Sequence, residues 1–338
     1  MRVGVIGTGA ISHMHAAAYR NIGFKVTVAT DVNPQAGTKF AEKYGAQFVP
    51  TYQEVCRHPE VDYVDLCTMP DFRLEPLEIC AESGKHIQVQ KPMAISLETA
   101  RRMVETARGA GIQLGVVSQH RFDDASLFLH KALAEERLGR LLQADAYVKW
   151  YRPPAYYSRP IKGSWAVEGG GALLNQGIHH VDLLLWFAGP VRRVCGQWQL
   201  GALHKIESED VVSALVHYAS GAQGVIQAST AVLPGYPERI ELHGTKGTAI
   251  ITGDKLTTWD VQDDSGDAPL LASSVLSGAS DPLAIPLEPF QRQFRDFGDS
   301  IRTGRKPVVS GEEGYRALEL VLSIYQSCRE DRAVELGA

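Results

Sequence analysis

Apolar positions in the first third of the chain fall in short runs separated by stretches with helical spacing. Residues 2–6 form an apolar run that leads directly into Gly7-Thr8-Gly9-Ala10-Ile11-Ser12, and a helical stretch follows to a stop signal at residues 21–23. Residues 24–30 are rich in β-branched side chains and predict a second strand with Asp31 at its C-terminal end. The alternation continues with a helix over 51–58, a strand over 61–68, and a helix over 74–83 stopped by Gly84. A strand over 86–90 then meets Lys91-Pro92. Ser96 is placed to cap a helix reaching Arg108, and 112–118 predicts a further strand. Repeated strand–helix units imply a doubly wound parallel sheet, whose ligands sit at the carboxyl ends of its strands. Thr68, Lys91 and Gln119 fall at such ends.

From about His120 the period changes. One helix over 126–136 leads into long strands over 141–151, 191–200, 211–218, 224–232 and 239–243, with hairpin turns at Ser220-Gly221 and at 244–247. The pattern predicts a large, mainly antiparallel open sheet, a face that commonly finds a second copy of its own chain. Residues 260–289 are polar and rich in Ser, Gly and Pro, and read as loop. Phe290, Phe294, Phe297 and Ile301 recur at helical spacing, as core packing requires, and 315–328 predicts a last helix.

Composition narrows the class. The 338 residues are 44% apolar and 22% charged, which suits two globular domains and excludes disorder as the global state. A formal net charge of −5 argues against nucleic acid or an anionic membrane as the main partner. The strongest apolar stretch, 181–191, is too short to span a bilayer and contains Asp182. No signal peptide is expected, because the first residues already read as a buried strand. The cysteines (Cys56, Cys67, Cys80, Cys195, Cys328) are odd in number and show no metal or disulfide spacing, so reduced, mostly buried thiols in a cytoplasmic protein are expected.

The glycine turn has the mechanics of a dinucleotide site. Gly7 permits the tight turn, and Gly9 has no side chain to block a pyrophosphate. The following helix, opening at Ala10 and Ile11, offers free N–H groups and a positive dipole end. Asp31, about 20 residues on, can accept hydrogen bonds from both ribose hydroxyls and would repel a 2′-phosphate. Thr30 and Val32 supply no cation for that phosphate, so NAD is favoured over NADP. Ser12 stands where the pattern wants Gly or Ala, and is small enough for the same packing. The expected fold is therefore an N-terminal Rossmann doubly wound parallel sheet over 1–119, joined to a C-terminal α+β domain with a large, mainly antiparallel open sheet over 120–338. The C-terminal helices are free to pack back on the first domain.

Residues 168–189, EGGGALLNQGIHHVDLLLWFAG, carry the strongest chemical signal of the second part. The glycines allow close backbone approach, and a helix follows. On α-helical geometry Asn175, His179 and Asp182 share one face, whereas His180 is rotated about 100° away. His179 is the candidate and His180 is not. Just upstream, Lys149, Arg152, Arg159 and Lys162 mix with Tyr156, Tyr157 and Trp165: aromatics suit sugar faces, and cations suit a carboxylate or phosphate, although a solvated loop would show the same composition.

Together GTGAIS, the acid at the second strand end, GKHIQVQKPMA, SQHRF and GGGALLNQGIHHVDLLLWFAG resemble, in order and over essentially the whole chain, the Gfo/Idh/MocA family of nicotinamide-dependent oxidoreductases. The resemblance implies that Lys91 sits beside the nicotinamide and the reacting carbon, and that His179 handles the proton. It implies cofactor contacts at Gly7, Thr8, Gly9, Ala10, Ile11, Asp31, Thr68, Met69, Arg73, Gln90 and Lys91. Substrate contacts are expected at Gln119, Arg121, Asn175 and His179, and, from the aromatic and basic cluster upstream, at Tyr157, Arg159, Lys162 and Trp165. The chain departs from the family pattern in four places: Gln90 replaces a Glu, Asn175 replaces an Asp, Arg73 replaces a frequent His, and Met69 replaces a Pro. An amide at 175 cannot balance an imidazolium, so His179 would hold its proton less tightly and Lys91 would carry more of the transfer.

The expected activity is reversible hydride transfer between NAD and a secondary alcohol carbon of a sugar, cyclitol or sugar acid, by a homodimer or homotetramer assembled through the C-terminal sheet. Lys91 would stabilise the developing negative charge, His179 would take or return the proton, and Asn175 would orient His179 or bind a neighbouring hydroxyl. Two alternatives share these features: an NAD-dependent glycosidase that oxidises its substrate transiently, and a non-catalytic NAD-sensing regulator. Retention of both Lys91 and His179 speaks against the regulator.

Overall fold

A computed structural model describes residues 1–159, 161–262, 277 and 286–337. The chain divides into two compact units, Met1–Gln119 with Pro286–Tyr315, and His120–Ile285 with Arg316–Ala338.

The first unit alternates as its sequence implies. Its elements are β1 (Arg2–Ile6), α1 (Ala10–Asn21), β2 (Lys25–Thr30), α2 (Pro34–Tyr44), β3 (Gln47–Phe48), α3 (Tyr52–Cys56), β4 (Tyr63–Leu66), α4 (Leu74–Glu82), β5 (His86–Val89), α5 (Leu97–Gly109) and β6 (Leu114–Val116). The strands form one parallel sheet in the order β3-β2-β1-β4-β5-β6. The order reverses between β1 and β4, and such a switch point opens a crevice at the strands' carboxyl ends. Ser96 caps α5 as expected, its hydroxyl accepting from Thr99 N at 3.1 Å. Helix α2 and strand β3 occupy a stretch for which no element was predicted.

In the second unit a 3₁₀ turn (Gln119–Phe122, beginning in the first unit) precedes α6 (Asp124–Ala134) and β7 (Leu141–Lys149). A π-helical turn, Ala172–Gly177, runs into α7 (Ile178–Ala188). Strands β8 (Val191–Leu200), β9 (Glu209–Tyr218), β10 (Gln223–Ser229), β11 (Arg239–Gly244), β12 (Gly247–Thr252) and β13 (Lys255–Val261) follow. Helix α8 (Leu287–Thr303) belongs to the first unit, and α9 (Gly311–Glu330) carries the chain from there to β14 (Val334–Glu335) in the second. The second sheet has the order β13-β12-β11-β7-β10-β9-β8-β14 and is antiparallel except between β7 and β10.

The expected loop over 260–289 is corrected at both ends: β13 runs through Val261, and 287–289 open α8. Its centre, 263–276 and 278–285, lies outside the described residues. In α8, Phe290, Phe294 and Phe297 are buried against the first sheet and α1, with Phe294 4.4 Å from Tyr19 and Phe297 5.1 Å from Tyr63 between ring centroids. Among the described residues no helix is long and apolar enough to cross a membrane. All five cysteines are free thiols, and Cys195 is exposed.

Candidate active site

The glycine turn joins β1 to α1 at the switch point. Gly7 has φ of 90°, donates its N–H to Thr30 O at 3.0 Å, and would place a Cβ 3.0 Å from the Cys67 backbone, so only glycine fits without strain. Gly9 is different: a Cβ there would meet nothing within 4 Å, which leaves open space at the N-cap of α1, where no side chain caps the helix. That combination, an uncapped helix N-terminus with room before it, fits a pyrophosphate. Asp31 Oδ2 accepts Thr8 N at 2.6 Å and Thr8 Oγ1 at 2.8 Å, while Oδ1 accepts Asn33 N at 2.8 Å. These donors fix the carboxylate at the end of β2, where ribose hydroxyls would reach it. Val32 beside it is fully exposed, an apolar surface suited to the flat face of a base.

Thr68 and Met69 follow β4 and are half-buried, and Thr68 Oγ1 donates to Phe72 O at 3.0 Å. Arg73, 2% exposed at the start of α4, points its guanidinium into the backbone: it donates to the carbonyls of Thr68 (2.5 Å), Gln90 and Pro92. Burial pushes its pKa down to about 9. The Lys91–Pro92 turn is thus gripped on both sides of Lys91. Arg73 was expected to contact the cofactor; the structure gives its guanidinium a backbone role instead. Gln90 is buried, and its Oε1 accepts Lys91 N at 3.1 Å. Gln119 is 2% exposed.

In the second unit, the glycine run is shaped by what lies under it. A Cβ on Gly171 would fall 1.9 Å from Glu209 O, and one on Gly170 would fall 2.5 Å from the Tyr325 hydroxyl. The buried Glu209 carboxylate accepts Gly171 N (2.9 Å), Leu173 N (2.8 Å) and Tyr325 OH (2.6 Å), and burial raises its pKa to about 7. The chain then leaves the α-helical register for the π turn, a feature that recurs at functional sites. Asn175 and His179 are each half-buried in an otherwise buried stretch, whereas Asp182 is buried. Asp182 is 3% exposed and takes a bidentate ion pair from Arg121 at 2.6 and 2.7 Å. Arg121, expected among the substrate contacts, is 1% exposed, so the geometry corrects both residues to a tether between the 3₁₀ turn and α7. Asn175 Nδ2 donates to Gly170 O at 2.9 Å.

His180 is buried, with Nδ1 lacking a hydrogen-bond partner among the described residues, and burial pushes its pKa down to about 4. It is neutral at pH 7, unsuited to hold a charge. Beside His179 lies a pair that the sequence reading missed. The His120 ring stands edge to face against His179 with centroids 5.1 Å apart, and His120 Nδ1 bonds Asp123 Oδ2 at 2.7 Å. The His-x-x-Asp spacing after Gln119 was the available signal.

The upstream aromatic and basic cluster is partly neutralised. Lys162 Nζ lies 2.5 Å from Glu168 Oε1, a buried carboxylate, and sits over the Tyr156 ring. Tyr157 OH pairs with Thr230 Oγ1 at 2.8 Å, and Trp165 Nε1 donates to Glu207 O at 3.1 Å. Arg159 is exposed.

Residues 1–118 match the profile of the oxidoreductase family's NAD-binding Rossmann fold, and residues 127–250 match the Gfo/Idh/MocA C-terminal domain. The myo-inositol 2-dehydrogenase of Thermotoga maritima is 29% identical, with 99% of this chain and 98% of the relative aligned. The 1,5-anhydro-D-fructose reductase of Ensifer adhaerens is 28% identical over 99% and 98% of the two chains. Among solved structures, the WlbA dehydrogenase from Bordetella pertussis in complex with NADH and UDP-GlcNAcA superposes with a TM-score of 0.88 at 27% identity, covering 100% of this chain and 99% of that one. The chain belongs to the Gfo/Idh/MocA family of oxidoreductases, and its first unit is an NAD-binding Rossmann domain.

Proposed function

We propose that the protein transfers a hydride between NAD and a secondary alcohol or ketone carbon of a sugar, cyclitol or sugar derivative. The observation that carries this reading is the Lys91 turn, clamped by a buried guanidinium at the carboxyl end of β5, in a chain whose full-length relatives are named as a cyclitol dehydrogenase and an anhydrosugar reductase. NAD, when bound, supplies the hydride-accepting carbon. The Lys91 ammonium stabilises negative charge developing on the substrate oxygen. His179 takes the hydroxyl proton in oxidation and returns it in reduction, with Asn175 holding the backbone of the turn that precedes it. Absorbance at 340 nm, followed with NAD and with NADP across inositols, aldoses, uronates and UDP-sugars, tests the reading. Net NADH formation with one substrate class supports it; glycoside cleavage without NADH accumulation identifies the glycosidase alternative.

Cofactor choice rests on Asp31. Asp31→Ala removes the acceptor for the ribose hydroxyls and the charge that repels a 2′-phosphate. The NAD Kd is expected to rise about tenfold to a hundredfold, equivalent to about one charge-assisted hydrogen bond, while the NADP Kd falls or stays level. Isothermal titration with both dinucleotides reads the change; an unaltered NAD:NADP ratio would remove Asp31 from that role.

We also infer a cytoplasmic homo-oligomer joined through the open face of the second sheet, a dimer or a tetramer. Leu215 of β9 is 56% exposed on that face, between Cys195 of β8 and Val225 of β10. Leu215→Lys should lower the mass measured by sedimentation equilibrium; an unchanged mass would place the interface elsewhere.

A further inference from the structure

A line of buried hydrogen bonds crosses the first unit from β4 to the Lys91 backbone. Asp65 Oδ2 lies 2.7 Å from His15 Nδ1, and His15 Nε2 lies 2.8 Å from Gln90 Nε2. Gln90 Oε1 accepts Lys91 N at 3.1 Å. Asp65 and His15 are 0% exposed and Gln90 is 7% exposed.

The two ends of this line dictate one proton arrangement. A backbone N–H only donates, so the Gln90 atom facing Lys91 must be the amide oxygen. Its NH₂ therefore faces His15, and His15 Nε2 must accept. A neutral imidazole then carries its proton on Nδ1, where it donates to the carboxylate that lies there. Among the described residues, nothing else bonded to or packed on His15 competes for this arrangement. Tyr19 OH donates to the same Asp65 oxygen at 2.7 Å, and its pKa is driven well above the usual tyrosine value, so it stays a donor. Cys67 Sγ is 3.6 Å from Nδ1 and its thiol is pushed up by burial, so it stays neutral. The α8 side presents only the rings of Phe290 and Phe294, with centroids 5.3 and 4.9 Å away. His15, Asp65 and Cys67 also make a compact set of metal-ligating types. A 2.7 Å approach of Nδ1 to Oδ2 is a shared proton, because ligand atoms about 2 Å from one metal ion in tetrahedral array stand roughly 3.3 Å apart.

We propose that His15 is a positioning residue for Lys91, passing the charge of buried Asp65 through Gln90 to the Lys91 backbone. It sits on α1, the helix whose N-terminus fits the pyrophosphate, so the same helix that receives the cofactor aligns the catalytic lysine. Asp65 Oδ1 has no partner among the described residues, which leaves the carboxylate's remaining charge to polarise His15 and Tyr19. The inference rests on the proposed role of Lys91 in hydride transfer.

Two readouts test it. In ¹⁵N-histidine spectra, the signal lost in His15→Asn should show the Nδ1–H tautomer with Nε2 bare; an Nε2–H tautomer would overturn the line of bonds. The second readout is kcat against the KM for NAD, with a polyol that is oxidised at 340 nm. Asn at 15 reaches only toward Asp65 and Gln only toward Gln90, so each keeps one contact and neither bridges both. In both variants kcat should fall about tenfold while KM for NAD moves less than about threefold. Wild-type kcat in either variant, or a loss confined to KM, would leave His15 a packing residue. The tautomer is read without turnover, so a protein that oxidises no polyol removes the activity reading while the spectrum still decides the network.

Discussion

Lys91→Ala is expected to lower kcat by about 10³-fold, with the Kd for NAD changed less than about threefold. Oxidation of a secondary alcohol puts negative charge on the oxygen as its proton is removed, before the departing hydride turns it into a carbonyl, and a fixed ammonium is worth more against that charge than in the neutral ground state. Removal of one preorganised donor of this kind typically costs 10²–10³ in rate, and loss of a proton-handling group costs about 10²–10⁴. On the proposed reading the nucleotide is held by the turn at Gly7–Gly9 and by Asp31, which the substitution does not touch, so binding and turnover should separate. His179→Ala should show the same separation with a loss of about 10²-fold. If the proposed mechanism holds, the double variant should lose less than the product of the two, because in that mechanism both groups serve one proton and one oxygen. Stopped-flow turnover and NAD titration check the set. Near-normal kcat in both single variants would remove the mechanism. Lys91→Arg should not rescue, since a planar guanidinium cannot replace a compact ammonium at a fixed point.

Much of the fold was legible because its signals are local. The strand–glycine–helix–strand–acid sequence of the first unit follows from sterics and dipoles within 30 residues, and the β-sheet of the second follows from alternation and hairpin glycines. Helix α2 was missed although its signals stand in the chain: Asn33 caps it by accepting Gln35 N (3.0 Å) and Ala36 N (3.3 Å), Pro34 opens it, and Gly45 ends it at φ of 68°. The site was legible only where a residue acts on its neighbours in sequence. Asn175 and His179 are both half-buried, but Asp182 is buried. Its partner Arg121 lies 61 residues away, and no periodicity reports a pairing of that range. The glycines at 170 and 171 were visible as a need for close approach, whereas Glu209 and Tyr325, the groups that approach, were not. His15 and Asp65 were hidden for a related reason. Both occupy buried positions in apolar-looking elements, and their pairing is intelligible only once the two elements are placed side by side.

Arg73→Met should leave the protein folded, with a Tm shift of only a few degrees, and should lower kcat by about 10²-fold. The two stability terms oppose one another. Burial of the guanidinium is costly, as a pKa pushed down to about 9 and an Nε without a partner among the described residues both indicate. At about 1.4 kcal/mol per pKa unit, relief of that cost is worth several kcal/mol. Against it stand the carbonyls of Thr68, Gln90 and Pro92, which lose a charged donor worth about 1.5–3 kcal/mol each. The two sums are of the same order and oppose one another, as they do when a buried ion is replaced by an apolar group of similar size. Catalysis has no such offset. Without the fork, the carbonyls on either side of Lys91 lose their common tie to that of Thr68, and a displacement of about 1 Å at a reacting group can cost 10²-fold. Arg73→Lys should recover part of kcat, since an ammonium can reach one or two of the three carbonyls. Calorimetry and turnover on the same samples separate the outcomes: a large fall in Tm with kcat preserved in the folded fraction would make Arg73 a stabilising residue and detach it from Lys91.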